Sequence, residues 1–188
     1  MTGPHPIGHG MYARPERERR FLLAAPPAAA EVLAARRIID RYLTGTRLRL
    51  RHSQRLDTGE SEFKFTQKIP LGTRGPVQGG VHGVQGWITN TYLSAGEYEL
   101  LATLPALTLT KTRLSVPPLG VDVFEGDLTG LVMAEAEFAS DQDHDAFTPP
   151  SVCLHEVTTD PRFTGGRLAR ATRQELLAWL SDYRIALD

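Results

Sequence analysis

The chain has 188 residues, and its 21 Lys and Arg nearly balance 22 Asp and Glu, giving a formal net charge of −1 at pH 7. This length suits one domain, and the balanced charge gives no general attraction to nucleic acid or an acidic membrane. The single cysteine excludes an intramolecular disulfide and suits a reducing cytoplasm, while every apolar run is too short to cross a bilayer. We therefore expect a cytoplasmic protein without a nucleic-acid or membrane partner.

The first part of the chain predicts a tail, a strand and a helix. Residues 1–14 are rich in Gly, Pro and His and lack the apolar segment of a secretory signal, so we expect a flexible tail before one domain at 15–188. Residues 16–24 alternate charged with apolar side chains and predict a strand. Residues 28–40 follow two prolines and carry apolar side chains at roughly helical spacing, which predicts a short amphipathic helix.

The middle of the chain predicts strands at 46–52, 61–69 and 87–93, because these segments alternate in a period of two. The Gly-rich stretch 70–83 predicts a mobile loop. Ser94 followed by Glu97 forms a capping box for a helix that runs to about residue 104.

The last third predicts a strand at 108–116, a hairpin of 121–124 with 131–138, and an extended piece at 154–158. A Gly165-Gly166 turn precedes a helix at about 170–184, with Leu176, Leu177, Leu180 and Ile185 on one face. Strands dominate without crossover helices, a pattern that favours an antiparallel barrel or strongly curved sheet with a few outer helices.

Charged side chains recur two residues apart along these predicted strands, and residues two apart in a strand share a face. Any single row is most simply a solvent-exposed face, but several rows together favour a charged interior, provided the apolar faces lie outward beneath helices. Unpaired buried ions cost several kcal/mol each, so such an interior must hold water and a ligand. The rows are Glu16/Glu18/Arg20, Arg47/Arg49/Arg51, Lys64/Thr66/Lys68, Lys111/Arg113 and Glu135/Glu137.

The basic rows outnumber the acidic ones, which indicates a polyanion with more than one phosphate as the ligand. Paired Glu side chains supply the hard oxygen ligands that Mg²⁺ or Mn²⁺ prefers.

The same residues resemble the CYTH domain of the triphosphate tunnel metalloenzymes, over about residues 16–168. Glu16-Arg17-Glu18-Arg19-Arg20 is similar to the E-x-E-x-K signature of that family, with Arg20 where Lys is usual. The further similar segments follow in order: Tyr42-Leu43 before Arg47-x-Arg49, Phe65-Thr66-Gln67-Lys68, Lys111-x-Arg113, Asp122-Val123-Phe124-Glu125-Gly126, Glu135-Ala136-Glu137 and Glu156-Val157-Thr158.

This resemblance implies an α+β fold, a closed eight-stranded antiparallel β-barrel with flanking helices. It also implies hydrolysis of inorganic, thiamine or nucleoside triphosphate, or cyclisation of ATP, with Mg²⁺ or Mn²⁺. The implied catalytic residues are Glu16, Glu18 and Arg20; the implied substrate-binding residues are Arg47, Arg49, Lys64, Lys68, Lys111 and Arg113; the implied metal ligands are Glu16, Glu18, Glu135 and Glu137.

Two segments depart from the family pattern. A further acidic strand is frequent midway along these chains, whereas this chain has Thr89 and Thr91, which could hydrogen-bond phosphate oxygens. Gly165-Gly166 stands where a polar residue is frequent.

Three functions remain open: a metal-dependent triphosphatase, an adenylyl cyclase of the same fold, and a module that binds polyphosphate or a nucleotide without turnover. A homodimer is also left open.

Overall fold

A computed structural model of the chain describes residues 11–70 and 85–187. Within these ranges ten β-strands form: Arg14–Glu16 (β1), Glu18–Leu22 (β2), Ala34–Leu43 (β3), Leu48–Arg55 (β4), Ser61–Pro70 (β5), Gly86–Leu93 (β6), Ala106–Val116 (β7), Leu119–Phe124 (β8), Val132–Glu137 (β9) and His155–Glu156 (β10). The α-helices described are Ala95–Leu101 (α1), Asp141–Ala146 (α2), Gly165–Leu168 (α3) and Arg173–Asp182 (α4). Short 3₁₀ helices form at Ala29–Glu31, Gly126–Leu128 and Pro161–Phe163.

The strands make one antiparallel sheet in the order β1-β6-β5-β4-β3-β7-β8-β9-β2-β10. The α+β class, an antiparallel sheet with flanking helices, is thereby confirmed, whereas a closed eight-stranded barrel is not. Ten strands are counted in the described residues instead of eight because Arg17 interrupts the first strand and the two-residue β10 is added. The segment around Arg17 pairs with β6 through β1 and with β9 through β2.

The helix predicted at 28–40 is wrong, since this segment holds one 3₁₀ turn at Ala29–Glu31 and then β3. β3 pairs with β4 on one side and with β7 on the other. Ile38 and Asp40, two residues apart, are both buried, which is strand periodicity. Pairing along both edges, together with the β-branched Ile38 and Ile39, outweighs the helical preference of the Ala-rich start.

The other predicted strands are confirmed, with bounds that differ by a few residues. The capping box is confirmed as well: the Ser94 side chain accepts a hydrogen bond from the Glu97 backbone, although α1 ends at Leu101. Pro70 belongs to β5, and the remainder of the predicted loop at 70–83 lies outside the described residues. The predicted tail lies outside them up to residue 10, and Arg14 already belongs to β1.

The C-terminal helices cover part of the sheet face that carries the charged rows. Leu176 and Leu180 of α4 join a buried apolar cluster with Leu22, Phe124 and Met133. Those three strand residues lie two positions from Arg20, Asp122 and Glu135, and therefore share a face with them. The inward face is thus charged in one part and apolar where α4 packs. Leu177, which was predicted to share the buried face, is 42% exposed.

On β2, β8 and β9 the opposite sheet face is apolar and is covered by other segments. Phe21, Val121 and Ala134 form a second buried cluster, against which Phe147 and Cys153 pack. For these three strands the arrangement agrees with the expectation that the apolar faces point away from the charged side chains. None of the helices in the described ranges has the length and apolar character needed to span a membrane.

Candidate functional site

The charged rows converge on one cavity of about 910 Å³, which we call the charged cavity. Among the described residues, nine basic side chains and four acidic ones line it, so its wall is cationic although the whole chain carries a net charge of −1. The basic residues are Arg14, Arg17, Arg20, Arg49, Arg51, Lys64, Lys68, Lys111 and Arg113, and the acidic ones are Glu16, Glu18, Glu135 and Glu137.

Most of the residues predicted to form a site therefore lie together. Arg47 is the exception: it is exposed in the bend before β4 and does not line the charged cavity. Arg51, two strand positions beyond Arg49, lines the cavity in its place. The period of two on β4 already placed Arg51 on this face, but the sequence does not show where the strand begins.

Asp40 of β3 lies against Arg49 and Arg51 and has no solvent exposure. Its carboxylate accepts hydrogen bonds from Nε and Nη2 of Arg51, both at 2.7 Å, and lies 3.5 Å from Nε of Arg49. Burial by itself would raise the pKa of Asp40, but the charges of Arg51 and Arg49 outweigh it and hold this pKa well below its usual range.

Asp122 of β8 plays a similar part for the cations of β7. It is 1% exposed, accepts hydrogen bonds from Nε and Nη2 of Arg113 at 2.7 Å each, and pairs with Lys111. Arg113 also pairs with Glu135. Burial opposes ionisation of Glu135, yet Arg113 and Lys111 hold its pKa well below the usual range.

Among the acids that are mostly withdrawn from solvent in the charged cavity, Glu18 has the weakest ion pairing. Its carboxylate lies 3.6 Å from Nε of Arg20 and makes no hydrogen bond to a side chain or backbone group in the described ranges. Burial raises the pKa of Glu18, and the negative charges of Glu135 and Glu16 raise it further, to about 7. Glu16 differs because Lys68 pairs with it.

Arg20 ties the sheet to the C-terminal segment. Its Nη1 donates to the Phe163 carbonyl and its Nη2 to the Thr158 carbonyl, both at 2.6 Å. Its Nε is buried and has no hydrogen-bond partner among the described residues. Arg20 therefore lines the charged cavity with only part of its guanidinium available for a ligand.

The N-terminal end of α3 forms part of the cavity wall through its N-cap Thr164 and its first two residues, Gly165 and Gly166. The Tyr42 ring of β3 packs directly against these glycines, and a Cβ built on Gly165 would lie 1.9 Å from the Tyr42 hydroxyl. Burial raises the pKa of Tyr42 to about 12, so its hydroxyl stays protonated. Glycine at position 165 is what allows this close approach.

The face of β6 that lines the charged cavity is not the one that carries Thr89 and Thr91, which was considered from the sequence. Ile88 and Asn90 line the cavity, whereas Thr89 and Thr91 lie on the opposite face. Asn90 accepts a hydrogen bond from the buried Thr66 hydroxyl at 2.8 Å. This strand therefore contributes an amide where a further pair of acids was considered missing.

The acids of the charged cavity are of the type that binds a divalent cation, but their present arrangement does not bring them together around one. Carboxylate oxygens are the ligands that Mg²⁺ and Mn²⁺ prefer, and the Glu18 carboxyl, 14% exposed, lies near those of Glu16 and Glu135. Within residues 11–70 and 85–187, however, no three His, Cys, Asp or Glu side chains gather closely enough to hold a metal ion. Glu16 and Glu135 instead form ion pairs with Lys68 and Arg113, respectively.

A second cavity of about 400 Å³ adjoins the charged cavity and shares Arg113, Glu135 and Glu137 with it. Its other walls are mostly apolar and include Pro118 and Leu119 at the β7–β8 turn. The side chain of Arg113 lies along Gly120, where a Cβ would be 3.5 Å from its Cδ. Arg113 and Glu135 therefore stand between the two cavities.

Two crystal structures of one protein share this fold over most of its length. The inorganic triphosphatase NE1496 has 27% sequence identity, with 83% of this chain and 95% of that chain covered, at a TM-score of 0.52. A structure of NE1496 described as a hypothetical protein gives 28% identity, 84% and 99% coverage, and a TM-score of 0.53. No protein-family model matches the chain, and no curated protein sequence matches it.

Proposed function

Because this chain belongs to the CYTH domain family, we propose that it is a divalent-metal-dependent triphosphatase whose substrate binds in the charged cavity. The observation that carries the proposal is the cationic wall of that cavity in a chain of net charge −1. The inorganic triphosphatase NE1496, similar over most of its length, supports a triphosphate as the substrate. We further propose a single cytoplasmic domain whose sheet closes into a tunnel through the segment around Arg17.

The basic side chains bind and orient the phosphates. Arg49, Arg51, Lys64 and Lys68 come from neighbouring strands of the sheet, and Lys111 and Arg113 come from β7. Guanidinium groups match phosphate oxygens with paired hydrogen bonds, whereas Lys acts as a point charge. Charge that develops during phosphoryl transfer is stabilised by such preplaced donors.

The acidic side chains serve the metal and the attacking water. Glu16, Glu18, Glu135 and Glu137 would hold Mg²⁺ or Mn²⁺, which would supply Lewis-acid stabilisation of phosphate oxygens. A bound triphosphate offers Lys68 and Arg113 new partners, which frees Glu16 and Glu135 from their present ion pairs. The Glu18 carboxylate makes no competing hydrogen bond to a described residue, which leaves its oxygens available to the metal or to the attacking water.

The test is phosphate release from tripolyphosphate with Mg²⁺ or Mn²⁺, in the wild type and in the Glu16→Gln/Glu18→Gln variant. We expect release by the wild type and a loss of at least about 100-fold in the variant, because metal binding and proton transfer both fail. Equal rates for the two proteins, or no release by either, would refute hydrolysis in this cavity. Binding of tripolyphosphate without release would instead identify a module that binds without turnover.

The second cavity favours the extension of this activity to organic triphosphates. It has room for an organic group attached to phosphates in the charged cavity, and its Arg36 makes no ion pair with a described residue. Arg37, the next residue of β3, faces the other way and pairs with Glu125. We expect Arg36→Met to raise KM for ATP or thiamine triphosphate and leave KM for tripolyphosphate unchanged, whereas Arg37→Met should alter neither. Equal effects of the two substitutions would remove this extension.

A further inference from the structure

Asp40 contacts two of the phosphate-binding cations and does not itself line the charged cavity. It lies opposite Arg51 in the β3–β4 pairing, so its carboxylate comes from a neighbouring strand at a fixed register. The two 2.7 Å hydrogen bonds from Nε and Nη2 of Arg51 form a bidentate pair. The remaining nitrogen of Arg51, Nη1, donates to no described residue.

Arg49 and Arg51 need such a partner because they are like charges two positions apart on one strand face. The Asp40 carboxylate lies within 3.5 Å of Nε of Arg49 as well as bonding Arg51, and therefore offsets their mutual repulsion. Arg49 is also fixed from β5, since its Nη2 donates to the Thr66 hydroxyl at 3.3 Å. The two guanidinium groups are thereby held before any ligand enters.

We propose that Asp40 is a positioning residue for the triphosphatase reaction: it orients the guanidinium groups of Arg49 and Arg51 toward the reacting phosphates. This inference rests on the proposed function. Asp40 has two opposing effects on the ligand. It orients the two guanidinium groups, but its negative charge beside the charged cavity weakens the attraction of the cavity for a polyanion. Asp40 therefore contributes geometry at the expense of electrostatic affinity.

This opposition gives a distinctive kinetic result for Asp40→Asn. The substitution removes a negative charge and sets an amide N–H against the Arg51 donors, so the guanidinium groups leave their present orientation. We expect kcat for tripolyphosphate to fall by roughly 10- to 100-fold, since small misplacements of binding groups are costly. We expect KM to stay within about twofold of the wild type or to fall, because the cavity becomes more cationic.

The matched control is Asp57→Asn, which removes a carboxylate paired with Arg55 at the exposed β4–β5 turn. Both kinetic constants of this control should equal those of the wild type. If Asp40→Asn does not fold, Asp40→Glu keeps the charge and displaces the carboxylate, and it should still lower kcat. A wild-type kcat in the folded variant, or a higher KM with kcat unchanged, would overturn the proposal.

Calorimetric titration with tripolyphosphate separates this inference from the proposed function. If the wild type binds tripolyphosphate without hydrolysing it, the proposed function fails, and the positioning role is then judged on binding alone. Asp40→Asn should bind at least as tightly as the wild type but with an altered binding enthalpy. Affinity lowered tenfold or more, or an affinity and an enthalpy identical to those of the wild type, would overturn the positioning role.

Discussion

The orientation of the cations in the charged cavity depends on two buried aspartates, Asp40 and Asp122. Each accepts two hydrogen bonds from one arginine and contacts a second cation. The sequence placed Asp122 at the start of a hairpin and attached no role to Asp40. It could not do more, because the partners of both residues lie on neighbouring strands whose register is set only when the sheet forms.

The two glycines that begin α3 provide a residue-level prediction. Gly165→Ala forces a methyl group to within 1.9 Å of the Tyr42 hydroxyl, so we expect the free energy of unfolding to fall by about 1–3 kcal/mol. Gly166→Ala is the matched control, because its Cβ would lie 3.7 Å from Tyr42, an ordinary contact. Urea denaturation of both variants measures the difference, and equal stabilities would contradict the close packing of Tyr42 on Gly165.

The pKa of Glu18 gives a pH prediction for the metal-free protein. A folded-state pKa of about 7, against 4.5 for an unperturbed Glu, means that the fold favours the neutral carboxyl. The free energy of unfolding therefore decreases as pH rises from about 4.5 to 7, by up to about 3 kcal/mol from this group. Glu18→Gln should remove that decrease, so the variant should melt at a higher temperature than the wild type at pH 8.

Thermal melts with EDTA at about pH 5 and pH 8 test this sign. Asp40 and Glu135 do not confuse the comparison, since their pKa values are lowered and the stability they add is lost only below the usual carboxyl range. A Glu18→Gln variant that is less stable than the wild type at pH 8 would contradict the burial of a carboxylate whose ion pairing does not offset its loss of hydration.

At the level of elements, the period of two identified the inward residues of several strands, but not of all. On β5 the sequence paired Lys64 with Lys68, and both line the charged cavity. On β6 Thr89 and Thr91 were considered although Asn90 faces inward, because Thr and Asn are equally polar and parity alone does not tell which face is buried. β3 was predicted as a helix because its pairing on both edges is not visible locally.

The position at which β4 begins can be tested directly by substitution of its arginines. Arg51 lines the charged cavity, whereas Arg47 is exposed in the bend before the strand. Arg51→Met should weaken tripolyphosphate binding by about 2 kcal/mol, since it removes a charge-assisted donor, and Arg47→Met should leave binding within about 0.5 kcal/mol of the wild type. Competition binding measures both, and a larger loss in Arg47→Met would contradict the observed start of β4.

At the scale of the whole molecule, the local concentration of basic side chains matters more for anion binding than the net charge. The cations gather in one cavity although the chain carries a net charge of −1, and composition alone excluded no anion site. The antiparallel class, most strands and most cavity residues could be predicted from alternation and from the resemblance of ordered motifs. The apolar packing of α4 on the inward face could not, because it depends on contacts between residues far apart in the chain.

The most direct test of this account is calorimetric titration of the full chain with tripolyphosphate at low and high salt. We expect one tripolyphosphate to bind per chain, with an affinity at least about tenfold weaker in 0.5 M than in 0.05 M NaCl, because salt screens the cations that attract it. Lys68→Met should weaken binding at low salt. No binding at low salt, or binding that neither salt nor Lys68→Met weakens, would contradict a triphosphate site in the charged cavity.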